Sequence, residues 1–209
     1  MNILGLDEAG RGPVLGPMIV AGIVIPEEKT KILERMGVKD SKKLTPKRRT
    51  TLARKLVKMF EYETVEVTAM DIDNLRSKDV NLNEIEKIAM IKIIENLKPD
   101  AVIIDSLDVK PKRLENEIKS IVECDNITAE HKADDNYYQV AAASIIAKCT
   151  RDKIIKDINE DYIQMGGIGS GYPSDPKTKD FLTNFTYDEM PYFVRKSWNT
   201  VQKMRSIRY

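Results

Sequence analysis

Short runs of Ile, Val and Leu recur along the chain, at Asn2 to Leu6, Met18 to Ile25 and Ala101 to Ile104, with helix-length stretches between the later ones. That alternation constrains the fold more than any other feature. Apolar runs of strand length that lack polar alternation suit strands buried on both faces, and the intervening helices are what cover them. An α/β layered domain is the expectation.

The remaining elements follow from punctuation and period. Gly10, Gly12, Pro13, Gly16 and Pro17 mark a tight loop between the first two strands. A helical pattern follows Pro26 to about Met36, and Thr45-Pro46 starts another helix that runs to about Met59. Glu61 to Thr68 alternates as a strand does. Ile85, Ile88, Ala89 and Ile91 give Asn81 to Leu97 a helical apolar stripe, closed by Pro99 ahead of the strand at Ala101. A helix from Pro111 to Val122, a strand from Asn126 to about Glu130 and a long helix from Asp134 or Asp135 through Tyr162 complete the alternation. Gly166 to Pro173 is a loop, and Asp175 to Tyr209 reads as helices with an irregular stretch near Pro191. The expected division is a main domain over 1–174 and a helical C-terminal extension over 175–209.

Bulk properties mostly exclude. The 34 basic and 33 acidic residues nearly cancel, so any polyanion site must come from local clustering. Met18 to Ile25 and Val140 to Ala147, the longest apolar stretches, fall short of the roughly 20 residues that span a bilayer. Neither a membrane protein nor a secreted one is expected, and the cytoplasm is the expected location. Cys124 and Cys149 lack a CxxC spacing and sit among core-like residues, which suits buried thiols in a reducing compartment.

Several residues could carry chemistry. Ile3-Leu4-Gly5-Leu6 runs straight into Asp7-Glu8, two acids where a buried strand prefers apolar residues. Neighbouring strand residues face opposite sides, so both acids serve one metal only at a strand end or if Glu8 reaches around; the bland alternative is a strand that ends in solvent. Asp105 follows the apolar strand Ala101 to Ile104, at the strand edge where sites form in open α/β sheets. His131-Lys132-Ala133-Asp134-Asp135 precedes the long helix, where helix capping alone would explain one aspartate. Converging, these acids would suit a hard cation such as Mg²⁺ or Mn²⁺. A single histidine argues against zinc hydrolysis and against a nucleophilic triad, and His131 is read as structural.

Candidate anion-binding residues are more ambiguous. Gly10-Arg11-Gly12 exposes backbone N–H groups beside a guanidinium, or is simply a turn. It lacks dinucleotide and P-loop spacing. Lys42-Lys43 and Lys47-Arg48-Arg49 form a basic cluster suited to phosphate, or equally a solvated face. Gly169-Ser170-Gly171-Tyr172-Pro173 sets an aromatic ring on a rigid loop, for stacking or for packing.

Taken together, Asp7-Glu8-Ala9-Gly10-Arg11-Gly12-Pro13, Asp40-Ser41-Lys42-Lys43-Leu44, Asp105, His131-Lys132-Ala133-Asp134, Ala142-Ala143-Ser144-Ile145-Ile146-Ala147-Lys148 with Thr150-Arg151-Asp152, and Gly169-Ser170-Gly171-Tyr172-Pro173 occur in order. This set resembles ribonuclease HII, in its archaeal branch, over nearly the whole chain. The resemblance implies a ribonuclease H-like mixed sheet flanked by helices, with a small helical C-terminal extension. It implies Asp7, Glu8, Asp105 and Asp134 as catalytic metal ligands for Mg²⁺ or Mn²⁺, with Asp135 as the fallback for Asp134. The implied substrates are RNA/DNA hybrids and duplex DNA containing ribonucleotides, cut 5′ of a ribonucleotide to leave a 3′-hydroxyl and a 5′-phosphate. Gly10, Arg11, Gly12 and Tyr172 would read the 2′-hydroxyl. Lys42, Lys43, Lys148 and Arg151 would meet phosphates.

Many archaeal relatives end in a glutamine-led, aromatic-tipped peptide that docks on a sliding clamp. Here Arg205 stands at the third position after Gln202, which counts against clamp binding. Nothing in the chain requires more than a monomer. Competing readings are a DNA resolvase of the same fold class, marked by cutting all-DNA junctions, and a non-catalytic nucleic-acid-binding module, marked by metal-independent binding without cleavage.

Overall fold

The computed structural model describes residues 1–39, 44–106 and 108–205. Its sheet has five strands in the order β3-β2-β1-β4-β5, formed by β1 (Asn2–Ala9), β2 (Met18–Pro26), β3 (Glu61–Val67), β4 (Ala101–Asp105) and β5 (Ile127–Glu130). β1 and β2 pair antiparallel from Asn2↔Pro26 to Ala9↔Ile19. β4 runs parallel to β1, with Ile3 opposite Ala101, and β5 parallel to β4. The sheet is therefore mixed, as the resemblance implies, and helices flank it.

The acids do not end the first strand. Asp7 lies opposite Ala21 and Glu8 opposite Val20, and the ladder stops only after Ala9, where Gly10 turns the chain at φ +87°. That left-handed value favours glycine.

The helices are α1 (Thr30–Met36), α2 (Pro46–Met59), α3 (Ala69–Arg76), α4 (Leu82–Leu97), α5 (Pro111–Lys119), α6 (Ala133–Asn136), α7 (Tyr138–Asp161), α8 (Pro176–Leu182) and α9 (Asn199–Arg205). α2 starts as Thr45-Pro46 dictates, with the Thr45 hydroxyl accepting from the Arg48 N–H at 3.3 Å. α3 occupies a stretch that apolar period does not mark. A capping box forms it: Asp71 N–H donates to the Thr68 hydroxyl and Thr68 N–H to the Asp71 carboxylate, each at 3.1 Å.

The long helix expected from Asp134 or Asp135 through Tyr162 is broken. Tyr137 is extended at φ −120°, ψ 125°, which separates the single turn α6 from α7. Its hydroxyl donates to Glu130 at 2.8 Å, and its N–H still closes α6 on the Ala133 carbonyl. The start of α7 lies directly on β1, because a Cβ at Gly5 would overlap the Gln139 backbone.

The chain forms two compact units. Met1–Ala9, Ile19–Val65 and Asn83–Cys149 make the first, built on the central sheet. The second comprises Gly10–Met18, Glu66–Leu82 and the described residues from Thr150 onward. Its core gathers Leu15, Ile158, Ile168, Phe181, Phe193 and Val201, with Tyr162 edge-on to Phe181 at 5.2 Å and to Phe193 at 5.4 Å. Both cysteines are free thiols, Cys124 buried and Cys149 half-buried. Among the described residues no helix is long and apolar enough to cross a membrane.

Candidate active site

In the first unit, β1, β4 and α6 each supply one aspartate to a single spot. Carboxylate oxygens of Asp7, Asp105 and Asp134 lie within 4.8 Å of one another, a group able to hold a metal ion. Local structure explains the convergence. Parallel pairing sets Leu6 beside Ile104, so the acids that follow each residue emerge at the same edge of the sheet. The Asp105 carboxylate accepts from the Ala133 N–H at 3.0 Å, which ties the start of α6 to the end of β4. The neighbouring residue Lys132 adopts a left-handed φ of 58° to make that turn.

Asp7 and Asp134 are buried and Asp105 is half-buried, whereas Asp135 is exposed. Glu8 is half-buried and stands outside the three-aspartate group. His131 is also outside it; its Nδ1 lies 2.8 Å from the Ser106 carbonyl. Burial, and next the charge of Glu8, push the Asp7 carboxyl well above the ordinary aspartate value of 3.8, with Asp105 adding to the rise. A hydrogen bond from Ser144 and another from the Glu8 N–H at 2.7 Å oppose that shift.

Ser144 was not among the residues singled out in the sequence, although it sits in the Ala-Ala-Ser-Ile stretch. It is completely buried on α7, and Lys148, one turn later, donates to its hydroxyl at 2.7 Å. With the Lys148 ammonium donating into its oxygen, the Ser144 proton is directed to Asp7. A cation is thereby linked to the acid group through one hydroxyl.

In the second unit the Gly10–Pro17 loop is held through its carbonyls and, at Val14 to Gly16, through backbone N–H groups that donate to Gly171 and Phe193. Arg195 donates to Gly10 at 2.5 Å, to Arg11 at 3.0 Å and to Gly16 at 2.9 Å. Arg151 donates to Leu15 at 3.0 Å and to Pro17 at 3.2 Å. The Trp198 indole N–H takes the Gly12 carbonyl at 3.1 Å, and the Arg195 backbone N–H takes Val14 at 2.9 Å. Gly10 must be glycine here, since a Cβ would run into the Arg151 side chain.

Arg195 is fully buried, and among the described residues it forms no ion pair. Burying an unpaired cation is costly; hydrogen bonds to a charged group, worth about 1.5–3 kcal/mol each, offset the cost. The Trp198 ring face, 4.8 Å from the guanidinium, adds a cation–π contact. Burial, followed by the charge of Arg151, pulls the Arg195 guanidinium down to about 9. A charged residue after the apolar Phe193-Val194, three positions before the chain's single tryptophan, was the available sequence signal.

Tyr172 is 47% exposed on the glycine-rich loop, and an ideal Cβ on Gly12 would stand 3.5 Å from its ring. Gly171 accepts from the Val14 N–H at 2.8 Å, binding the two loops together. Arg151, only 7% exposed, is turned to the loop backbone. Lys42 and Lys43 lie outside the described residues.

The mixed sheet order, with three aspartates gathered beside it, is that of the ribonuclease H-like class. The family model described as ribonuclease HII matches residues 4–201. Ribonuclease HII of Methanobrevibacter smithii is 63% identical over 99% of both chains. The crystal structure of ribonuclease H2 from Pyrococcus horikoshii OT3 superposes with a TM-score of 0.89 at 41% identity, covering 98% of this chain and 97% of that one. A PCNA:RNase HII complex from Archaeoglobus fulgidus matches with a TM-score of 0.87 at 40% identity, over 99% and 98% of the two chains. The chain belongs to the ribonuclease HII family and is an endoribonuclease.

Proposed function

We propose that the chain cuts the RNA strand of RNA/DNA hybrids and also cuts 5′ of ribonucleotides embedded in duplex DNA, leaving a 3′-hydroxyl and a 5′-phosphate. The observation that carries this reading is the gathering of Asp7, Asp105 and Asp134 from three separate elements within 4.8 Å. An all-oxygen donor set without cysteine or histidine fits Mg²⁺ or Mn²⁺. Glu8, next to Asp7, completes the proposed catalytic and metal-binding set. A divalent cation held there supplies Lewis-acid polarisation of the phosphate and activation of the attacking water. The protein's own part is to fix the carboxylates: Asp105 through the Ala133 N–H, Asp7 through Ser144 and the Glu8 N–H.

Selection for RNA falls to Gly10, Arg11, Gly12 and Tyr172. Support comes from the close approach of Gly12 to an exposed Tyr172 ring, which sets an aromatic face beside a backbone that side chains do not cover. Arg151 contributes through the loop it holds. Lys148 contributes through Ser144, and Lys42 and Lys43 supply phosphate contacts on the strength of the resemblance. The segment 175–209 acts as an extension that supports the loop, since it provides Arg195 and Trp198.

A monomer working in the cytoplasm is sufficient for this chemistry. The Archaeoglobus structure is of a complex with PCNA. In this chain the Gln202 amide donates to the Tyr187 hydroxyl and the Lys196 carbonyl, which counts against Gln202 leading a docking peptide.

The test uses an end-labelled RNA/DNA hybrid, a DNA duplex with one ribonucleotide and an all-DNA duplex, each with Mg²⁺, Mn²⁺ or EDTA. Metal-dependent cutting 5′ of the ribonucleotide, with a ligatable 5′-phosphate and an extendable 3′-hydroxyl, is expected. Cutting of the all-DNA duplex at a similar rate would replace this reading with a resolvase-like one.

A further inference from the structure

Arg195 lies in the second unit, far along the chain from the loop it holds, and its bonding pattern has a directional consequence. All described peptide bonds are trans, and in a trans peptide the C=O and N–H of one unit point in opposite directions. The Gly10 carbonyl shares its peptide with the Arg11 N–H, and the Arg11 carbonyl shares its peptide with the Gly12 N–H. Both carbonyls are captured by the two terminal nitrogens of one buried guanidinium. The Arg11 and Gly12 N–H groups are therefore turned to the side opposite Arg195. Trp198 captures the next carbonyl, Gly12, whose peptide runs into Pro13 and so carries no N–H.

From this arrangement, and resting on the proposed function, we infer that Arg195 is a positioning residue for ribonucleotide recognition: it aims two successive backbone N–H groups outward to receive the phosphodiester and ribose 2′-hydroxyl oxygens of the substrate. Successive amides pointing the same way make an anion-receiving concavity, and a fixed positive charge behind them strengthens it. Donors fixed before substrate arrives need no reorganisation on binding. A residue that merely filled space would not need to be charged, nor to spend its hydrogen bonds on consecutive carbonyls. Gly12 fits the same account, because a side chain there meets only the Tyr172 ring at ordinary contact distance.

The test compares the full-length chain with Arg195→Met, Gly12→Ala and Gly12→Pro. Binding to a fluorescent DNA duplex with one ribonucleotide and to its all-DNA counterpart is measured by anisotropy in Ca²⁺. Mn²⁺ titration, thermal melting, KM and kcat accompany it. Expected is at least a tenfold loss of ribonucleotide preference in Arg195→Met, carried by KM, with Mn²⁺ affinity held within about threefold. Gly12→Pro, which deletes one of the two N–H groups, should lose at least fivefold more preference than Gly12→Ala, which keeps it.

An Arg195→Met protein that folds and keeps the wild-type preference overturns the inference while leaving the proposed function intact. Should that variant fail to fold, the glycine pair decides: equal preference in Gly12→Pro and Gly12→Ala overturns it. Wild-type protein with no ribonucleotide preference overturns the proposed function and this inference with it.

Discussion

Asp7→Asn should make the metal-free protein more stable while removing its activity. The substitution keeps the size of the side chain and an oxygen that accepts from Ser144 and from the Glu8 N–H. It removes one charge from three carboxylates whose ligand atoms lie within 4.8 Å of one another. Each fully ionised pair at that separation costs about 3 kcal/mol at an effective dielectric constant of roughly 20. Burial of Asp7, the first cause of its raised pKa, adds to the cost of holding that charge. Screening and relaxation leave only part of one such pair, so a gain on the order of 2 kcal/mol in EDTA is expected, or about 4–8 °C in Tm for a chain of this size.

The direction with pH follows from the same shift. Below the ordinary value of 3.8, Asp7 is protonated in both the folded and the unfolded wild-type protein, so the variant has no advantage. As pH rises from there through the elevated folded value, the wild type loses stability and the gap opens. Saturating Mn²⁺ should reverse the order, since a ligand that binds only the folded state stabilises it by mass action and the variant holds it less well. Thermal melts near pH 4 and pH 8, in EDTA and in Mn²⁺, measure all of this. An Asp7→Asn protein that melts below wild type in EDTA near pH 8 would show that carboxylate repulsion does not limit the stability of the metal-free site.

Ser144→Ala removes the hydroxyl between Lys148 and Asp7, and a lost supporting contact of this kind costs roughly 10–100-fold in metal affinity; Mn²⁺ titration checks it. Gly5→Ala should be severely destabilising, about 3 kcal/mol or more, since its Cβ would overlap the Gln139 backbone where α7 meets β1, and soluble yield with urea unfolding reads the loss. Asp175 caps α8, and the hydrogen bond from the Ser170 side chain, followed by those from the Ser170 N–H at 2.6 Å and the Lys177 N–H at 3.0 Å, holds its carboxyl at about 2. Its stabilising contribution is present above 3.8 and lost as pH falls toward 2, so acid unfolding of wild type and Asp175→Ala should converge at the low end of that window.

Much of this was legible because the relevant signals are local. The unbroken apolar runs at β1, β2 and β4 identify buried strands, and Thr45-Pro46 marks the start of α2 to the residue. Acids placed directly after apolar runs were enough to nominate Asp7 and Asp105. Their convergence was not legible, because it depends on the parallel register of β1 and β4 and on the Asp105 bond to Ala133. The break at Tyr137 escaped for a similar reason: apolar period runs straight through it, and the hydroxyl bond back to Glu130 on β5 is invisible in the sequence. α3 lacks a strong stripe but does carry Thr68 and Asp71 at capping-box spacing. Arg195 was the hardest to find, since its meaning lies in carbonyls more than 170 positions earlier in the chain.

On the proposed function, the three gathered aspartates make this chain a metal-dependent nuclease directed at ribonucleotides. Single-turnover cleavage of a duplex with one embedded ribonucleotide, by wild type and by Asp105→Asn of matched folding, tests it most directly across a Mn²⁺ titration. Expected are cutting 5′ of the ribonucleotide that rises with Mn²⁺ and stops with EDTA, and a loss of at least about a hundredfold in the variant. Cleavage that persists in EDTA, or that Asp105→Asn leaves unchanged, would contradict it.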